Sequence, residues 1–259
     1  MENQRNVDSQ YLARLGAVLE NVKRTTYQRM RVMEGSRVLD VGCGPGTDTI
    51  PLAKLVGSWG RVAGIDQDAA MIEQANSRAI QNGVAGWTEH RVAESDALPF
   101  DDASFDAVRA ERLFQHLQNP APTLREMIRV TRAGGYVCVL DTDYASASIA
   151  IDEHELERRF TRVVLEHSVK NGYAAREMPL LFQQHKLDAI DLEIVPVVYA
   201  DYALARELGR WNDIERIALE LNLLNEQELQ HLRASCERAD EQGGFVLHVN
   251  MVMVVGRKE

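Results

Sequence analysis

The stretch Val38-Leu39-Asp40-Val41-Gly42-Cys43-Gly44-Pro45-Gly46-Thr47 decides the fold class of this sequence. An apolar run that predicts a buried strand ends in a glycine-rich turn, and a helical pattern follows at once. The glycines let the chain turn tightly and let a ligand approach the backbone, because no side chain stands in the way. The stretch therefore predicts a strand–loop–helix unit that binds a ligand, with a purely structural turn as the alternative.

A second signal lies 20 residues after Gly46, where Gly64-Ile65-Asp66 ends the next predicted strand. A carboxylate at this place accepts hydrogen bonds from both hydroxyls of an adenosine ribose. Asp68, two residues further on, is expected to cap the following helix. Strands and helices go on alternating up to Asp141, which predicts an α/β fold built from parallel β-α-β units.

Length and composition favour one domain without a nucleic-acid partner. The 259 residues carry 29 basic and 39 acidic side chains and no Lys/Arg-rich block, whereas nucleic-acid affinity depends on basic surfaces. The apolar runs are too short for a membrane helix, and the polar start lacks a signal-peptide core. Three scattered cysteines lack metal-site spacing, so we expect a reduced, cytoplasmic protein without a metal site. The oligomeric state stays open.

Four segments in register resemble class I S-adenosylmethionine-dependent methyltransferases. The similarity is greatest to the ubiquinone/menaquinone biosynthesis C-methyltransferases and to natural-product methyltransferases. The segments are residues 38–49, 64–68, 98–106 and 126–135. The resemblance implies S-adenosyl-L-methionine as cofactor. It also implies a Rossmann-like, seven-stranded, mostly parallel sheet in the order 3-2-1-4-5-7-6, with strand 7 antiparallel.

Three regions are expected within the single methyltransferase domain of residues 1–259. An amphipathic N-terminal helical cap spans 1–33, and the S-adenosylmethionine-binding core spans 34–143. The remainder, 144–259, combines the last strands with helical substrate-cap insertions at about 144–186 and 202–242. A reversal between two late strands independently favours an antiparallel edge on the sheet.

The resemblance also implies the cofactor contacts. They are Asp40, Gly42, Gly44 and Gly46 around the methionine moiety, Asp66 with Gln67 at the ribose, Glu94 with Ser95 at the adenine, and Glu111 at the methionine end. The family usually has Gly-Asp where this sequence has Ala93-Glu94. The adenine contact therefore stays open between Glu94 and Asp96.

Three residues near the ends of strands 4 and 5 are the candidates for catalysis. His116 is a possible proton acceptor because its imidazole is largely neutral near pH 7, and a buried structural histidine is the alternative. Asp141 and Asp143 follow the fifth strand, where they would orient a base or bind an acceptor amine. A solvated turn is the alternative for this pair.

The sequence thus predicts an enzyme that moves a methyl group from S-adenosylmethionine to a small organic acceptor in secondary-metabolite or cofactor biosynthesis. Nitrogen, oxygen and carbon acceptors remain open. One alternative is a protein that binds the cofactor without methylating. A minor alternative is an NAD(P)-dependent oxidoreductase, against which the G-x-G-x-G spacing and Leu98-Pro99-Phe100 weigh.

Overall fold

A seven-stranded sheet forms the centre of the protein, whose computed structural model describes residues 19–259. The order β3-β2-β1-β4-β5-β7-β6, with β7 antiparallel to both of its neighbours, confirms the predicted sheet. The strands are β1 Arg37–Val41, β2 Arg61–Asp66, β3 Thr88–Val92, β4 Phe105–Glu111, β5 Thr131–Ile149, β6 Asp188–Tyr199 and β7 Leu247–Arg257.

Helices flank the sheet and form an additional layer near its C-terminal part. They are α1 Glu20–Arg29, α2 Thr49–Val56, α3 Ala69–Gln81, α4 Ala121–Val130, α5 His154–His167, α6 Ala174–Gln184, α7 Tyr202–Leu208, α8 Trp211–Glu220 and α9 Glu226–Glu241, with a 3₁₀ turn at Phe114–His116. The Asp68 carboxylate accepts from the Ala70 backbone N–H at 2.8 Å, which confirms it as the cap of α3.

The strand order reverses between β1 and β4, which both pair in parallel with their neighbours. In open α/β sheets, ligands bind in the crevice at the carboxyl ends of the strands beside such a reversal. The loops after β1, β2 and β4 meet at this place, so the residues that the sequence singles out share one edge of the sheet.

Three hydrophobic clusters divide the interior. Two of them cover the opposite faces of the sheet, and α1 packs on one of these faces through Leu19, Tyr27 and Met30. The third joins α5, α7, α8 and α9 around Phe160 and Trp211. The C-terminal helices therefore have an apolar core of their own.

The described helices and strands agree with the sequence patterns except at the N-terminal helix and at the end of β5. Only α1 represents the N-terminal helical cap expected within 1–33, and residues 1–18 lie outside the described part. Strand β5 continues past position 144 to Ile149, so the helices of this region begin later, at α5. From residue 19 onward, no helix combines the length and apolar character that crossing a membrane requires.

Candidate functional site

The glycine loop joins β1 to α2 in a backbone conformation that glycine favours. Gly42, Gly44 and Gly46 have φ angles of 75°, 52° and 77°, in the left-handed region that side chains with a Cβ resist. The N–H groups of Gly42 and Cys43 donate to the carbonyl oxygen of Ile65 at 2.8 and 2.9 Å. The loop is thereby held against the end of β2.

Asp66 is placed against this loop. Its Oδ2 accepts from the Gly44 N–H at 2.9 Å, and its Oδ1 accepts from the Asp68 N–H at 3.0 Å. Each carboxylate oxygen has room for a further hydrogen bond, because it carries two lone pairs. The side chain is half-buried, so a ligand hydroxyl can reach these positions.

The segment after β3 lies beside the end of β2, where the Ala93 N–H donates to the Asp66 carbonyl oxygen at 3.0 Å. Ser95 is half-buried and its hydroxyl lies 2.9 Å from that of Thr123. Glu94, Asp96 and Gln67 are exposed. Exposure therefore does not separate Glu94, the predicted adenine contact, from its alternative Asp96.

A buried charge cluster lies behind the loop, centred on the Arg109 guanidinium. Arg109 is register partner of Asp40 on the neighbouring strand and is 1% exposed. Its Nη1 lies 3.1 Å from Asp40 Oδ1 and 3.0 Å from Asp48 Oδ1, while Nη2 lies 2.8 Å from Glu111 Oε2. One cation therefore holds three carboxylates together.

Helix α1 contributes two further side chains to this cluster. Lys23 Nζ lies 2.5 Å from Asp48 Oδ2 and 3.1 Å from Glu111 Oε1, and the Tyr27 hydroxyl donates to Asp48. Both side chains are buried. The N-terminal helix thus adds a second cation next to two of the carboxylates, where a single arginine would leave negative charge in excess.

The two aspartates of the cluster differ in their acidity. Burial raises the pKa of Asp40, and the Arg109 charge offsets this only in part. Burial acts the same way on Asp48, but Arg109 and Lys23 together hold its pKa well below the usual range. Asp48 is therefore the firmly ionised member, and Asp40 is the one that takes up a proton more readily.

Lys23, Tyr27, Asp48 and Arg109 were not among the predicted site residues. One signal for Arg109 was available, since it is a charged residue inside the apolar pattern of β4, and buried charges in strands need partners. Nothing in the local sequence showed that α1 would contribute to the same cluster.

A buried histidine on β3 contacts the helix that follows the glycine loop. His90 on β3 contacts the Thr49 hydroxyl through Nε2 at 2.8 Å and the Asn76 Oδ1 atom through Nδ1 at 3.0 Å. The Asn76 oxygen can only accept, so Nδ1 carries the proton and Nε2 accepts from Thr49. Burial lowers the pKa of His90 to about 4, which keeps the ring neutral.

His116 ends the 3₁₀ turn after β4 and is exposed. Its Nε2 lies 3.0 Å from the side-chain nitrogen of the buried Gln115. Asp141, 0% exposed, accepts from the Gln115 N–H at 3.1 Å and from the Thr142 N–H at 2.8 Å. Burial raises its pKa to about 7, against these hydrogen bonds. Asp141 thus supports the turn that carries His116.

Asp143 lies two residues further along β5 and binds α6. Arg176 Nε and Nη2 donate to its two oxygens at 2.9 and 2.7 Å, a bidentate pair. Asn171 connects the same region to the turn, because its N–H donates to the Gln115 carbonyl oxygen at 2.9 Å. His116, Asp141 and Asp143 are therefore linked through backbone and side-chain hydrogen bonds on one side of the crevice.

Comparison with known proteins is consistent with this geometry. A family profile described as "Methyltransferase domain" matches residues 33–193. The ubiquinone/menaquinone biosynthesis C-methyltransferase UbiE of Pseudomonas aeruginosa is 32% identical over 176 residues, which cover 66% of this chain and 69% of UbiE. The first curated relatives are matched over only 42%, 55% and 46% of their own length, so the chain spans about half of them.

Two solved structures share the fold. The YcgJ protein of Bacillus subtilis has a TM-score of 0.64 at 20% identity, over 94% of this chain and 98% of that chain. The [4+2]-cyclase SpnF has a TM-score of 0.61 at 18% identity, over 92% of this chain and 81% of that chain. On the profile match, which covers more than half of the sequence, the chain belongs to the methyltransferase domain family.

Proposed function

We propose that this protein transfers a methyl group from S-adenosyl-L-methionine to a small organic acceptor. The observation that carries the proposal is the Asp66 carboxylate bound to the Gly44 N–H of a left-handed glycine loop. The arrangement brings a carboxylate that can accept from ribose hydroxyls and a backbone without side chains together at the strand reversal, where open α/β sheets bind ligands. The name of UbiE, a C-methyltransferase of quinone biosynthesis, supports a small organic acceptor.

The residues present fit this cofactor. A Cβ atom at Gly42 would lie 3.2 Å from Leu113 Cδ1, and one at Gly46 would lie 3.0 Å from the Thr49 hydroxyl oxygen. These close contacts, together with the left-handed φ angles, make a side chain at Gly42 or Gly46 unfavourable. Asp66 and Gln67 would hold the ribose, Glu94 and Ser95 or Asp96 the adenine, and Asp40, Gly42, Gly44, Gly46 and Glu111 the methionine moiety.

The bound cofactor supplies a methyl group on a positively charged sulfur, so the protein has to supply mainly alignment and water exclusion. We assign alignment of the cofactor to the glycine loop and to the Arg109 charge cluster, which holds Asp40 before the loop and Asp48 after it. We assign water exclusion to a cap of three parts: α1, the helices α5 and α6, and the helices α7 to α9. This assignment follows the expected regions 1–33, 34–143 and 144–259.

A neutral acceptor also has to lose a proton, and His116 is our candidate for the base. It is exposed, and it belongs to the turn after β4 that Asp141 supports. In the orientation shown, the Gln115 amide donates to His116 Nε2, which leaves Nδ1 as the protonated nitrogen of the neutral ring. If the methyl acceptor displaces the Gln115 amide from His116, Nε2 is free to take a proton from that acceptor. Asp143 fixes α6 at the same side.

The first experiment measures cofactor binding by titration calorimetry with S-adenosylhomocysteine. Asp66→Ala should weaken binding by at least roughly tenfold, since it loses charge-assisted hydrogen bonds worth about 1.5–3 kcal/mol each. Asp68→Ala is the matched control, because it removes a helix cap two residues away and should leave affinity unchanged. An unaltered affinity in Asp66→Ala would contradict the ribose assignment.

The second experiment measures formation of S-adenosylhomocysteine with a panel of amines, phenols and enolisable carbon acids. Turnover on any member supports methyl transfer. Tight cofactor binding with no turnover on any member of the panel would favour the non-methylating alternative. The cyclase SpnF shows that this fold is not confined to proteins named methyltransferases. His116→Asn should lower turnover by roughly 10²–10⁴-fold at unchanged cofactor affinity, whereas the exposed His231→Asn should have no effect.

A further inference from the structure

A cavity of about 560 Å³ opens between strands β1 to β3 and the segment 99–105. It includes the amino ends of β1 and β2, whereas the glycine loop follows their carboxyl ends. None of the residues assigned above to cofactor or catalysis lines it. Its volume falls in the range of small-molecule sites, about 300–1,000 Å³.

Three arginines of the cavity wall lie on one face of the sheet. Arg37 and Arg61 are register partners on parallel strands, so they are direct neighbours with side chains on the same face. Arg91 pairs with Ile65, four positions after Arg61, and alternation places it on that face as well. The outer three strands thus each contribute one guanidinium.

Two of these arginines, Arg37 and Arg61, form no salt bridge with the described residues. Asp106 lies near Arg37, whose charge contributes to lowering the pKa of Asp106, but its oxygens accept from the Arg132 side chain and from the Arg37 backbone N–H. Arg91 pairs with Glu89 at 2.9 Å. Arg61 donates only to the backbone oxygens of Ser58 and Gly60, and within residues 19–259 neither it nor Arg37 lies at salt-bridge distance from a carboxylate. Adjacent like charges on neighbouring strands are unfavourable. Two acids, Glu89 and Asp101, also line the cavity, and Glu89 is paired with Arg91. The Arg37 and Arg61 pair is therefore the part of the wall that can take an anion from outside.

Aromatic rings form the apolar side of the same cavity. Phe100 and Phe105 pack edge to face with centroids 5.0 Å apart. The Arg91 guanidinium lies 4.9 Å from the Phe100 centroid, and that of Arg37 lies 6.0 Å from the Phe105 centroid. These contacts orient the cations beside an apolar wall, a combination that suits a ligand with a charged and an apolar end.

We propose that this cavity binds a small organic phosphate monoester, at a site separate from the cofactor crevice. Two guanidiniums balance a doubly charged phosphate better than a singly charged carboxylate, and the cavity exceeds what inorganic phosphate alone would fill. The phosphate lies between Arg37 and Arg61, and the organic part contacts the Phe100 and Phe105 side.

The test uses the full chain and phenyl phosphate as probe, followed by calorimetry, with benzoate, phenol and inorganic phosphate as comparison ligands. We expect phenyl phosphate to bind most tightly. The double variant Arg37→Gln/Arg61→Gln should weaken it by at least roughly tenfold, while Arg37→Lys/Arg61→Lys, which keeps the charges, should lose less. Asp66→Ala and the exposed Arg216→Gln are controls that should bind phenyl phosphate as the parent protein does.

Four outcomes would overturn the proposal. The first three are no binding of phenyl phosphate at millimolar concentration, equal binding of phenol, and equal binding by the double glutamine variant. Loss of binding in Asp66→Ala alone would assign the probe to the cofactor crevice and overturn it too. Unchanged S-adenosylhomocysteine affinity in the double glutamine variant shows that this variant is folded. If the double glutamine variant does not fold, phenyl phosphate binding by the double lysine variant is compared with binding by each single glutamine variant. Weaker binding in the glutamine variants then supports the proposal, and equal binding overturns it.

Discussion

Arginines at the two ends of neighbouring strands have opposite surroundings. At the carboxyl edge, Arg109 is buried and lies within 3.1 Å of Asp40, Asp48 and Glu111. At the amino edge, Arg37 and Arg61 are exposed neighbours without a carboxylate at salt-bridge distance in the described chain. The same residue type therefore has two roles: Arg109 is an internal counter-ion at the carboxyl edge, and Arg37 and Arg61 are solvent-accessible cations at the amino edge.

This difference shows what each edge requires. A buried charge costs several kcal/mol unless partners surround it, so the carboxyl edge has a closed network that includes α1. Exposed charges are solvated, so the amino edge tolerates two adjacent cations at small cost. Substitutions at the first edge should affect folding, and those at the second should affect ligand binding.

The largest effect is expected from Arg109→Met. The change leaves three buried carboxylates with Lys23 and the partly buried Arg112 as their remaining cations, and breaking a buried pair in this way costs about 3–5 kcal/mol. Urea unfolding measures the loss. Arg216→Met, on an exposed helix face, is the control and should stay within about 0.5 kcal/mol of the parent. A loss below about 1 kcal/mol in Arg109→Met would mean that the cluster is not a stabilising network.

Lys23→Met should have the next largest effect. It removes a buried cation from Asp48 and Glu111 while Arg109 stays, so we expect a loss of about 1.5–3 kcal/mol in urea unfolding. Arg24→Met is the matched control, because Arg24 is the neighbouring, exposed residue of the same helix. Equal stability of the two variants would show that α1 is held by its apolar contacts alone.

The sequence predicted the backbone of the cofactor edge better than its charges. The glycine loop and Asp66 follow from local patterns, because turn glycines and strand periodicity are read within a few residues, and the strand order follows from the resemblance to class I methyltransferases. The cluster around Arg109 joins α1, β1, α2 and β4, which are separated by up to 88 positions between Lys23 and Glu111. Such contacts depend on packing between distant elements, and no local spacing encodes them.

The helical cap illustrates the same limit. Its helices were predicted from periodicity, but their apolar core around Trp211 and Phe160 appears only when α5 and α8 meet. Aromatic residues in such helices can line a pocket or fill a core, and Trp211 and Tyr202 fill the core. Both are buried, and their rings contact each other with centroids 5.6 Å apart.

His90 provides a third, pH-dependent prediction. Its pKa is lowered from 6.5 to about 4 by burial, so the folded protein binds the ring proton less readily than the unfolded chain does. Its contribution is therefore complete above pH 6.5 and is lost as the pH falls from 6.5 towards 4. We expect a loss of roughly 1–2 kcal/mol between pH 7 and pH 5 that His90→Leu does not show.

The measurement compares urea unfolding of the parent and of His90→Leu at pH 7 and at pH 5. His185→Leu, on the half-buried histidine at the end of α6, is the control and should keep the slope of the parent. Comparing variants is necessary because Asp141, with a pKa raised to about 7, adds a slope of opposite sign. Parallel curves for the parent and His90→Leu would refute the assignment of a neutral, buried His90.

The smallest effect is expected from Arg37→Gln/Arg61→Gln without any ligand. Removing both adjacent exposed cations breaks no salt bridge of the described residues, and relief of their repulsion is worth about 0.2–1 kcal/mol, so stability should stay level or rise slightly. The repulsion is screened over about 3 Å in 1 M salt and over about 30 Å in 0.01 M salt. The gain of the variant over the parent should therefore be present in dilute buffer and disappear in concentrated salt. Urea unfolding at the two salt concentrations measures it, with Arg216→Gln as the control. A clear loss of stability in the double variant would show that Arg37 and Arg61 support the fold, and the contrast between the two sheet edges would then be one of exposure alone.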